Sequence, residues 1–97
     1  MIDATVVSAA LKALQVEFMR SSNQFRRDGD GMMAELYKSD AADVDSIKSL
    51  YETVGDFDRM ISSVMSLDTV VRERVLEALA AAVGKEAIEA TGMVRFF

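Results

Sequence analysis

No proline occurs anywhere in the 97 residues, and only five glycines do. Proline inside a helix removes a hydrogen bond and clashes with the preceding turn, so it forces breaks. Without it, glycine is the main punctuation left. The glycines stand at 29, 31, 55, 84 and 92. They leave three long stretches and a short end, and apolar residues recur in those stretches at the three-to-four spacing of a helix. The pattern predicts an all-α fold. The expected architecture is a small helical bundle built on two long antiparallel helices with two short helices between them. Residues 1–92 form the expected domain, and 93–97 a C-terminal tail.

In the first stretch, Val7, Leu11, Leu14, Phe18 and Phe25 follow a 4-3 spacing with Ser21 at the intervening position, which is a heptad-like seam. Asp3 suits an N-cap, Arg26 and Arg27 suit the negative end of the helix dipole, and Gly29 can end the helix in a left-handed conformation. The second stretch reads as two short helices. Asp30 would cap the run Met32, Met33, Leu36, Tyr37. Asp40, with Asp43 three residues on, would cap Val44, Ile47, Leu50, Tyr51, Val54. The third stretch begins at Asp56, with Phe57, Met60, Ile61 and Val64 on one face. It continues through Val71, Val75, Ala78, Leu79 and Ala82. Either Ser66 starts a fresh helix there, or one helix of about 40 Å runs through with a bend. The latter would pair antiparallel with the first. Lys85 to Ala90 can add a helical turn or two.

Composition excludes several chemistries. The chain has no cysteine and no histidine, so thiol nucleophiles, disulfides and imidazole acid–base catalysis are impossible. The longest apolar run, Ala78 to Val83, is far short of the roughly 20 residues of a membrane span. The start, Met1-Ile2-Asp3, lacks a basic region followed by an apolar one. A soluble, cytoplasmic protein without a membrane partner is expected. The net charge of −5 is unevenly spread: +2 over residues 1–27, −7 over 28–58, and zero over 59–97. Arg20, Arg26 and Arg27 are the only basic cluster, too small for a nucleic-acid stripe.

Motif by motif, site chemistry is sparse. Asp28-Gly29-Asp30 starts like a calcium loop, but positions five, six and twelve are Met32, Met33 and Ser39, which breaks the ligand pattern. Asp40, Asp43 and Asp45, or Asp56 and Asp58, suit helix caps and a solvated face better than a cation site. Glu73 and Glu77 share a face with Arg72 and Arg74, the mixed-charge pattern of exposed helices. The expectation is no enzyme, no metal and no cofactor.

What remains points to interaction. Met32 and Met65 lie off the apolar stripes, and methionine suits adaptable binding surfaces. Met93, Phe96 and Phe97 end the chain, where two exposed rings forgo about 1.5–3 kcal/mol of burial each. They either pack across the bundle end or enter a partner's pocket. The acidic middle, with Asp40, Asp43 and Asp45, suits a basic partner surface. The expected function is a non-catalytic protein–protein interaction module, a small regulator or inhibitor of the accessory or phage type. Its partner is another protein, itself as a homodimer, or both. A subunit or chaperone of a helical secretion apparatus, or a bundle holding a small apolar ligand, are the alternatives.

Overall fold

The computed structural model describes residues 2–96. Five helices follow in order: α1 (Ala4–Arg27), α2 (Gly31–Val54), α3 (Phe57–Val64), α4 (Thr69–Val83) and α5 (Lys85–Glu89). No strand occurs among the described residues. The protein is an all-α bundle with two long helices packed against each other.

The cap residues act as their chemistry dictates. The Asp3 carboxylate accepts from the Thr5 amide at 2.9 Å, and Asp30 accepts from Met33 at 3.0 Å. Between these two helices, Gly29 takes φ +84°. Its N–H donates to the Arg26 carbonyl, and the Asp30 N–H donates to Phe25. This pair of bonds is a Schellman turn, which needs the left-handed residue that only glycine adopts without strain. The segment resembling a calcium loop is therefore a helix–helix connection. It reverses the chain within three residues, so α1 and α2 lie antiparallel.

The seam between them has one feature that large apolar residues did not disclose. On α1 the buried residues are Val7, Leu11, Leu14, Phe18 and Ser22; on α2 they are Ala34, Ala41, Val44, Ile47 and Tyr51. Ser22, not Ser21, takes the seam position. Its hydroxyl donates to the Ala34 carbonyl at 2.6 Å, and both residues are fully buried. A serine facing an alanine lets the two backbones come close. Phe25 and Tyr37 then stack just outside, with ring centroids 5.5 Å apart and 14° between planes.

The second long helix is α2, where the sequence suggested two short ones. Asp40 and Asp43 do not cap anything; they sit in the interior of α2. Two facts override their capping preference. Ala41 and Ala42 carry the most favourable helix propensity, and the spacing Ala34, Tyr37, Ala41, Val44 keeps the α1-facing side continuous across the suspected break. The third stretch, conversely, is divided. α3 ends at Val64 and α4 restarts at Thr69, behind Asp68. Ser66 caps neither. The Ser63 and Ser66 hydroxyls instead donate back to the carbonyls of Arg59 and Ser62, the local competition that weakens serine in helices.

α3 leaves the base of the hairpin beside α2, where Tyr51 and Phe57 meet edge-on at 6.4 Å. α4 then returns along α1: Arg74 reaches Glu17 and Phe18, and Ala78 shares a cleft with Ala10 and Ala13. So α3 and α4 form a second, shorter pair on the basal part of the α1–α2 hairpin. Met60, Ile61, Val64, Val71, Val75 and Leu79 join the common core. α5 contributes Ile88, also fully buried. Val94 and Phe96 fold back against the same core.

Two substitutions test the close approach. Ser22→Ala is expected to lower the unfolding free energy by about 1 kcal/mol, the net worth of a hydrogen bond. Ala34→Leu is expected to cost about 1–3 kcal/mol or more by overpacking. Guanidinium denaturation reads both, and an unchanged midpoint for Ala34→Leu contradicts the packing described. Gln15 offers the opposite sign. Its buried Oε1 has no partner among the described residues, so Gln15→Met is expected to raise the midpoint.

Candidate functional site

Because α4 packs chiefly on α1 and meets α2 only slightly, a groove of about 330 Å³ opens between α2 and the first turns of α4. One wall is a stripe of α2: Met33, Leu36, Tyr37 and Asp40. Its i, i+3, i+4, i+7 spacing puts all four on one helix face. The other wall is Asp68, Val70, Val71 and Arg74, and Phe18 of α1 also lines the groove.

Rings and charges fix the walls. Tyr37 stands between Phe18, 6.0 Å away at 51°, and Phe25. The Arg74 guanidinium lies over the Phe18 ring, 5.3 Å from its centroid, and pairs with Glu17. Among the described residues, Arg74 is the only cation lining the groove, and it is thus answered within the molecule. Asp40 and Asp68, one on each wall, have no ion pair or side-chain hydrogen bond among the described residues. The rim is apolar and acidic.

Apolar exposure concentrates here. Leu36 is 52% exposed, Val70 70%, and Met32, one residue from the wall at Met33, 83%. Among the described residues these three are the most exposed large hydrophobic ones. Their position follows from the seam: once α2 faces α1 through Ala34 and Ala41, Met32 and Leu36 must point away.

The residues singled out from the sequence do not converge on one place. Asp40 forms part of the groove and Met32 adjoins it. Asp43 is half-buried one turn further along α2, and Asp45 is exposed. Met65 is half-buried at the end of α3, against the core. Met93 is exposed beyond α5. Phe96 is half-buried in a second, smaller cleft of about 250 Å³ with Leu76, Val94, Glu73 and Glu77. Lys85 reaches over its ring, 5.5 Å from Nζ to centroid. Phe96 therefore packs on its own bundle, while Phe97 lies outside the described residues. Leu36, Val70, Asp68 and Arg74 went unrecognised as groove residues. The pair Asp68-Thr69, a cap followed by a helix start, was the available signal for where α4 begins.

Among the described residues, no three carboxylates come together closely enough to hold a metal ion. No helix among the described residues is long and apolar enough to cross a membrane. No known protein family matches the chain, and neither curated proteins nor solved structures give a significant match.

The acidic rim has a consequence for stability. Desolvation in the groove pushes the Asp40 carboxyl above its ordinary value of 3.8, and the negative charges of Asp43 and Asp68 push it further the same way. The folded chain therefore holds this proton more tightly than the unfolded one. The stabilisation is complete below the ordinary carboxylate pKa and is lost as pH rises through the raised value. Asp40→Asn is expected to raise Tm at pH 7. The gain over the parent should shrink as pH falls through the raised value and vanish only well below 3.8, where the carboxyl is protonated in both states. Paired thermal melts check this, and a gain independent of pH contradicts it.

Proposed function

We propose that this chain is a non-catalytic interaction module, a small regulator or inhibitor that binds through the groove between α2 and α4. The observation that carries this reading is the coincidence of Met32, Leu36 and Val70, exposed and apolar, with a concave surface. Apolar side chains scattered singly on a surface need no explanation, whereas grouped ones beside a concavity mark interaction sites. The partner is another protein or a second copy of the chain.

Several features support an interaction role over a catalytic one. The groove holds no nucleophile paired with a base, which covalent catalysis requires. Its carboxylates face each other across the rim and repel. Its walls come from rigid helices, which suits recognition by shape. A docked segment would also cover apolar surface at about 25 cal/mol per Å².

A photoreactive benzoylphenylalanine in place of Val70 tests the reading in cells that express the protein. The expected outcome is one discrete adduct, with another protein or with the chain itself. Leu36→Asp, at an exposed position and verified as folded by circular dichroism, is expected to abolish it. Absence of any adduct, or an adduct that survives Leu36→Asp unchanged, contradicts docking at this groove.

A further inference from the structure

The two helix pairs differ in length, and the groove lies where the shorter one stops. The α3–α4 turn reaches the level of Phe18, Tyr37 and Asp40, as the shared walls show. From there the α1–α2 hairpin continues alone to its turn at Gly29, within a molecule 44 Å long and 27 by 20 Å across. In the basal part, α1 is covered by α4 and α2 by α3. Above the turn, the Met33 and Leu36 part of the stripe has no such cover. The missing element is a helix that would sit on this hairpin as α3 and α4 do lower down.

Charge says which helix. The groove is flanked by Asp40 and Asp68, with Asp43 one turn on, and Arg74 is already engaged by Glu17 and the Phe18 ring. Burial first, and then repulsion from Asp43 and Asp68, raise the Asp40 proton affinity; a cation brought from outside would relieve the repulsion. A second copy of this chain fits poorly. In a two-fold pairing the same surface meets itself, which would bring Asp40 and Asp68 against their own equivalents in chains that each carry −5.

Resting on the proposal that this groove docks a protein, we infer that its occupant is an amphipathic helix of a different protein. That helix carries a lysine or arginine beside its apolar anchors. The anchors, spaced i, i+3 or i+4, enter between Leu36 and Val70, the common mode of helix-in-groove recognition. The cation reaches the Asp40–Asp68 rim, where it adds selectivity and speeds encounter more than it adds affinity.

The test is a display library of helical peptides, with apolar residues fixed at i, i+3, i+4 and i+7 and the flanking positions random. It is selected on the full chain and, separately, on an Asp40→Asn/Asp68→Asn variant. Binders are counted as groove-dependent when Leu36→Asp abolishes them. Among these, lysine and arginine are expected to exceed aspartate and glutamate by about two- to five-fold over the unselected library, the scale of a part-exposed ion pair. The excess is expected to disappear on the double variant and to shrink with added salt. Groove-dependent binders without a basic excess, or with one that persists on the double variant, overturn the cationic helix and leave docking standing. Failure to obtain any groove-dependent binder overturns both.

Discussion

The close approach of α1 and α2 through small residues governs the rest of this structure. Ser22 and Ala34 meet with a single hydrogen bond of 2.6 Å and no exposed surface. Ala41 continues the contact about two turns further along α2, and Val44 follows roughly one turn beyond it. With so little side-chain volume between the backbones, the rotation of α2 about its axis is set. Ala34 and Ala41 face inward, so the larger Met32 and Leu36 face outward. Burial would otherwise favour the opposite arrangement, because a leucine or methionine gains more than an alanine from leaving water. Packing density and the continuous seam with Val44, Ile47 and Tyr51 decide the matter.

That same rotation explains how far the sequence could be read. Caps at Asp3, Asp30 and Asp56, and the glycine turns at 29 and 55, are local devices, and their chemistry announces them. The α1 seam is carried by large apolar residues and is equally plain as far as Phe18. The α2 seam is not, because its first two contacts are alanines, which carry no signal on a hydrophobic count. The stripe of Met32, Met33 and Leu36 is more conspicuous and suggests a different helix face. With the face misread, Asp40 and Asp43 resemble a cap and the stretch divides in two. The groove was correspondingly hidden. It lies between α2 and α4, whose meeting depends on where the α3–α4 turn falls, and a sequence-distant contact such as Arg74 with Glu17 leaves no local trace.

The groove and its acidity share one cause. The α3–α4 pair is too short to cover the whole hairpin, so a stretch of apolar α2 surface continues past its support. Asp40 and Asp68 meet at that step. An apolar wall next to unpaired carboxylates is unfavourable for the isolated chain, since the charges resist desolvation. The same arrangement favours a complex in which an apolar segment covers the wall and a cation answers the carboxylates. Features that weaken a fold while suiting a contact are expected at functional sites.

The orientation of α2 is the claim on which fold and site both stand, and the natural absence of cysteine makes it directly measurable. Single cysteines placed at 34, 36, 41 and 70 can be followed by their rates of maleimide modification under native conditions. Rates near that of a free thiol at 36 and 70, with strong protection at 34 and 41, are the predicted result. Protection at 36 together with ready labelling at 41 would show α2 rotated the other way, and both the seam and the groove would be wrong.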